Sequence, residues 1–137
     1  MASMQSETIH FYSKNPQHHG KIQEATLVYT ESNRVCGDDI TVYMIIVWDI
    51  IQRWSFAGNT SMITLACSGL FGDIVQGVKI ETLMSWDQDT IITSTGIEVS
   101  PRRKRAQVLA LLATRNAIHI YLKDGKKDDF SDVLTDL

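Results

Sequence analysis

The spacing of apolar residues changes character at Gly58. Before it, β-branched and aromatic residues gather in three runs, with alternation of the kind strands show. After it, Ile63, Ala66, Cys67, Leu70, Ile74 and Val75 recur at helical steps. A chain with this order is expected to form strands over residues 24–30, 39–47 and 50–57, then helices over 61–76 and 103–121. Three consecutive strands followed by helices specify an α+β fold, a three-stranded antiparallel sheet packed on one face by helices. At 137 residues, 44% of them hydrophobic, the chain suits a single domain over 1–137 rather than two.

Turn and cap residues place the boundaries. Asp49 marks a tight turn between the second and third strands, without the usual Gly partner. Thr60 or Ser61 caps the middle helix, and Gly77 closes it. Ser100-Pro101 opens the last helix with Pro near its first turn, and Asp124-Gly125 ends it. Residues 6–14 suit one or two helical turns, stopped by Asn15-Pro16. Residues 80–86 read as a short helical segment. Residues 87–98, rich in Thr and Ile, favour strand or loop. The tail, 124–137, is acidic and polar with Phe130, Val133 and Leu134 scattered through it. It reads as a short docked helix or as a mobile, frayed end.

The net charge of −3 provides no basic field for nucleic acid, and no base-stacking motif is present. The first eight residues lack the apolar core of a signal peptide. The longest apolar run, over 44–51, is interrupted by Asp49 and is too short to span a bilayer. Two cysteines, Cys36 and Cys67, allow at most one disulfide, and free thiols in a cytoplasmic protein are the expectation.

Chemistry concentrates in Asn33-Arg34-Val35-Cys36-Gly37-Asp38, between the first two strands. A thiolate is a soft ligand and a nucleophile, glycine frees the backbone, and a carboxylate ligates or tunes. Three further segments accompany it: Asn15-Pro16-Gln17-His18-His19-Gly20, Phe56-Ala57-Gly58, and Ser100-Pro101-Arg102-Arg103. In this order and spacing the four resemble the IscU/NifU-like iron–sulfur cluster scaffold family, over residues 10–120.

The resemblance implies the SufE/NifU-like fold and a site where three cysteines and an aspartate converge at one end of the sheet. It implies a [2Fe–2S] cluster or iron as cargo, with zinc as an alternative. It also implies a cysteine desulfurase as sulfur donor and apo iron–sulfur proteins as recipients. Such a protein is a scaffold, not an enzyme. Cys36 and Asp38 match the family's first motif, so Cys36 is the implied persulfide acceptor and, with Asp38, a metal ligand. Ser61 and Ala106 occupy the second and third cysteine positions. Serine is a poor soft-metal ligand at neutral pH, and alanine offers no donor at all. The four positions are nevertheless expected to cluster.

Other residues have plainer readings. Cys67 lies six residues past Ser61, about 240° around a helix, and reads as a buried structural thiol. His18 and His19 read as solvated loop residues, and His10 and His119 have no partner at ligand spacing. Trp48, Trp54 and Phe56 suit sheet core or sheet surface rather than a cofactor box. Arg102, Arg103, Lys104 and Arg105, with Arg115, form either a solvated face or an attractor for an acidic partner. Two other functions share the fold: a partner-binding pseudo-scaffold without cluster chemistry, and a SufE-like persulfide acceptor using Cys36.

Overall fold

The computed structural model describes residues 2–34 and 37–135, with side chains from Ser6 onward. Helix α1 (Ala2–Lys14) leads into the strands β1 (Leu27–Asn33), β2 (Asp38–Val47) and β3 (Ile50–Ala57). Helices α2 (Met62–Val75), α3 (Ile80–Leu83) and α4 (Gln88–Thr95) follow. A 3-10 turn at Pro101–Arg103 then runs into the long α5 (Lys104–Leu122), and the last element is α6 (Phe130–Val133).

The strands form an antiparallel sheet in the order β1-β2-β3. Leu27 pairs with Met44 and Asn33 with Asp38, so the first hairpin closes over residues 34–37. β1 therefore lies three residues later than the sequence pattern places it. Its end is set by pairing with β2, which a local pattern does not register. In the second hairpin Val47 pairs with Ile50 across a two-residue turn. Trp48 and Asp49 both take positive φ, 54° and 58°, the mirror-image turn that usually carries Asn-Gly.

A register shift between Ile45 and Ile46 leaves Gln52 as an extra residue on β3. Two consecutive residues, Gln52 and Arg53, then face solvent. Ile51 and Trp54, three apart, consequently both point into the core, which strict alternation forbids.

The core lies between the sheet's inner face and α5, with α2 alongside. Ile40, Val42, Met44, Ile51, Trp54 and Phe56 from the sheet meet Val108, Leu109, Leu111, Leu112 and Ile118 of α5 and Phe71 and Val75 of α2. The Trp54 indole Nε1–H donates to Thr114 Oγ1 at 2.9 Å, satisfying a buried donor and fixing β3 against α5.

Two segments differ from the sequence expectation. Residues 88–95 are helical rather than strand or loop. Asp87 and Thr90 form a reciprocal capping box, Gly96 closes the helix in the left-handed conformation, and Ile91 is buried, which together outweigh the β-branched composition. α1 runs for 13 residues instead of one or two turns, and it packs along α2. In the tail, residues 130–133 form the docked helix, with Val133 fully buried. No helix among the described residues is long and apolar enough to cross a membrane.

Candidate functional site

The site is built where β2 begins and α2 begins. The hairpin that carries Cys36 turns through Gly37, whose φ is 74° and whose N–H donates to Asn33 O at 2.8 Å. Val35 and Cys36 lie outside the described residues. Asp38, on the inner face of β2, follows directly and is 4% exposed.

Gly58 brings the second element to Asp38. Its φ is +136°, and a Cβ there would lie 2.3 Å from the Asp39 carbonyl oxygen. No other residue fits that approach. The next residue, Asn59, accepts the Asp39 N–H at 2.9 Å. Ser61 then caps α2, its Oγ accepting the Thr64 N–H.

At this junction the Asp38 carboxylate accepts three hydrogen bonds. The Ser61 N–H donates to Oδ1 at 2.7 Å, Ser61 Oγ donates to Oδ2 at 3.2 Å, and Thr64 Oγ1 donates to Oδ2 at 2.6 Å. Asp38 thus ties the start of β2 to the positive end of α2. The sequence singled out Asp38 as a ligand and Ser61 as a lost one, but not the contact between them.

Ala106, on the first turn of α5, is 5% exposed. It shares a cleft of about 540 Å³ with Ser61, Met62 and Ile63 of α2, Ile9 and His10 of α1, and Arg102 and Arg103. The fold therefore brings Ser61 to both Asp38 and Ala106. His10, set aside in the sequence, enters the wall because α1 packs along α2.

Among the described residues the donors do not make up a metal site. Ser61 Oγ is committed to its cap and to Asp38, Ala106 has no donor, and Asp38 accepts three hydrogen bonds. No three His, Cys, Asp or Glu side chains among the described residues form a metal-holding group. A structural zinc takes four ligands, and a [2Fe–2S] cluster is held by four, mostly thiolates.

The remaining singled-out residues are occupied structurally. Cys67 is buried, and burial pushes its thiol up to about 12, with Arg103 opposing the rise. It is a packing residue, not a nucleophile. His18 is pinned rather than solvated: Nε2 donates to Asp73 Oδ1 at 2.8 Å and Nδ1 accepts from Gln76 at 3.0 Å. His19 packs edge-on against Phe56, ring centroids 5.2 Å apart. Trp54 and Phe56 are core, whereas Trp48 is 91% exposed. Arg115 is engaged within the fold, its Nε donating to Asp128 and its Nη1 to Trp86 O. Arg105 stacks over Phe130 and helps hold α6.

Two features escaped the sequence reading altogether. Asn33 is fully buried beside the Cys36 hairpin, and its amide nitrogen and oxygen have no hydrogen-bond partner among the described residues. His119 is buried with Nδ1 2.7 Å from Asp124 Oδ2 and Nε2 3.0 Å from Asp128 Oδ2. Neither carries a local motif that could have revealed it.

The antiparallel sheet β1-β2-β3 covered by helices is the α+β fold of NifU-like and SufU structures. The chain belongs to the NifU-like N terminal domain family, whose model matches residues 4–128. It is 28% identical over 131 residues to the iron-sulfur cluster assembly scaffold protein IscU 1 of Archaeoglobus fulgidus, covering 95% of this chain and 85% of that one. It is 31% identical over 72 residues to the zinc-dependent sulfurtransferase SufU of Bacillus subtilis, covering 53% of this chain and 48% of that protein. Among solved structures, FiSufU from Fervidobacterium islandicum, a candidate cluster assembly scaffold of the SUF system, superposes with a TM-score of 0.66. The two are 26% identical, and the match covers 82% of this chain and 94% of FiSufU. The N-terminal part of a NifU-like protein from Brucella abortus shares the fold, with a TM-score of 0.69, 16% identity, and coverage of 88% and 94%.

Proposed function

We propose that this protein works in iron–sulfur cluster assembly as a divergent scaffold-type protein that receives sulfur at Cys36 and does not hold a [2Fe–2S] cluster within a single copy. The relatives named as assembly scaffolds support the pathway. The observation that carries the divergence is the Asp38 carboxylate hydrogen-bonded to a serine at the second ligand position, with an alanine at the third.

On this reading a cysteine desulfurase presents a persulfide, and the Cys36 thiolate attacks its outer sulfur. A Cys36 Sγ–S bond forms and the desulfurase leaves as a thiolate. Apo iron–sulfur proteins, or a second scaffold, are the recipients. The buried, donor-less Ala106 in a cleft that also holds Arg102 and Arg103 favours a second reading, a partner-binding pseudo-scaffold without cluster chemistry.

Anaerobic reconstitution with iron and sulfide, or with zinc, tests the proposal. The parent chain is expected to retain no stoichiometric metal, and the double variant Ser61→Cys with Ala106→Cys to gain it. Stoichiometric metal on the parent overturns the first part. Persulfide labelling after incubation with a desulfurase and cysteine separates the readings: label on Cys36 supports the acceptor role, and its absence leaves the pseudo-scaffold.

A further inference from the structure

At the turn between β2 and β3 the fold keeps a side chain where local chemistry disfavours it. Trp48 sits at φ 54° and is 91% exposed. Bulky residues rarely adopt positive φ, and Asn or Gly would suit the position better. A disfavoured backbone bearing a fully presented indole is the kind of feature that function retains.

Trp48 stands at the edge of a cleft of about 570 Å³ lined by Ile80, Met84 and Leu122, with Asp49, Lys79 and Glu81. The walls are fixed. The Ile80 N–H donates to Asp49 O at 2.9 Å, Ile51 N–H donates to Val78 O, and Ile50 bridges to Lys79. Val47 and Leu122 extend the apolar surface, at 37% and 47% exposure. An apolar projection and an apolar hollow thus lie side by side on one patch.

That adjacency decides the geometry of association. A projection and a hollow far apart would build open chains, whereas on a single patch they can close as a twofold pair. The charges agree, because Lys79 lies with Asp49 and Glu81 and a second copy of the patch offers each an opposite partner. We propose that two copies of this chain pair through the Trp48 patch, each placing its indole in the other's Ile80–Met84–Leu122 hollow.

Sedimentation equilibrium of the full chain tests this. The mass is expected to rise from 15.4 kDa toward twice that value between micromolar and millimolar concentration. Trp48→Asn should weaken association at least about 30-fold, the effect of removing a central aromatic anchor. Because Asn suits the turn, its thermal midpoint in dilute solution should equal or exceed the parent's. Lys79→Glu should also weaken pairing, and adding Glu81→Lys should restore it. A parent that stays monomeric throughout leaves the patch to another protein and overturns the proposal. So does a Trp48→Asn chain that pairs like the parent, or one that is less stable in dilute solution, which would make Trp48 a folding residue.

Discussion

Asp38 and Ser61, 23 residues apart in sequence, are joined twice: the Ser61 N–H donates to Asp38 Oδ1 at 2.7 Å and Ser61 Oγ to Oδ2 at 3.2 Å. With Thr64 added, the carboxylate links β2 to the start of α2 in a buried setting. Asp38→Ala is expected to cost about 2–4 kcal/mol, because it strands the Ser61 N–H and the Thr64 hydroxyl. Asp38→Asn, which keeps an acceptor oxygen, should cost roughly half as much. Urea unfolding measures both. A loss below about 1 kcal/mol for Asp38→Ala would show that the carboxylate is not holding the junction.

Gly72 and His18 form a second nonlocal fit. A Cβ on Gly72 would lie 2.5 Å from the His18 ring, so Gly72→Ala should displace the imidazole from Asp73 and Gln76. The expected cost is about 1–3 kcal/mol. In a His18→Gly background, which also removes the His18 Cβ that would lie 2.9 Å away, the same change should stabilise by up to about 1 kcal/mol, through helix propensity. The reversal of sign in a double-mutant cycle is the diagnostic. The same penalty in both backgrounds would place the clash elsewhere.

The C-terminal segment is latched by His119. Both ring nitrogens face carboxylates, an arrangement in which only the doubly protonated ring donates twice. Asp128 also accepts from Arg115, and its backbone N–H donates to Asn116. His119→Leu should destabilise by about 1–3 kcal/mol and speed amide exchange over residues 124–135 more than elsewhere. Uniform acceleration across the chain would contradict a local latch.

Acid should loosen the same segment. The Asp124 carboxyl is held below its usual value, first by the Lys126 N–H and then by His119, and that of Asp129 first by the Ser131 hydroxyl. A lowered folded pKa means stabilisation that is complete above the unfolded value of 3.8 and is lost as pH falls through the still lower folded value. Amide protection over 124–135 should therefore hold at neutral pH and decline below about pH 4. Asp129→Asn should reduce the acid-dependent part.

Tyr12 predicts an alkaline limb. Its hydroxyl donates to Asp73 Oδ2 at 2.6 Å, and that bond, then burial and the carboxylate's charge, raises the phenol from 10.0 to about 12. The contribution is complete below pH 10.0 and is lost as pH rises toward 12. Tyr12→Phe should cost about 0.5–1.5 kcal/mol at neutral pH. The gap between parent and variant should narrow in strong alkali, read from urea midpoints at both pH values. A constant gap would assign the loss to packing.

Residues whose fate depends on near neighbours were legible in the sequence. The strands 39–47 and 50–57, the capped α2 after Gly58 and the long α5 follow from periodicity and end chemistry, because patterning and caps act over a few residues. Even α4 was written locally, in Asp87, Thr90 and Gly96, although Thr and Ile content argued for strand or loop. What tertiary structure alone decided involves partners distant in the chain. The end of β1 is set by Asn33 pairing with Asp38, and the inward turn of both Ile51 and Trp54 by one extra residue in β3. The hydrogen bonds from Ser61 and Thr64 to Asp38, and the capture of His18 by Asp73, require two elements to close on each other. A sequence names which residues can donate and accept, but whether a carboxylate is left free for a metal or filled by hydroxyls is settled only when the chain folds back on it.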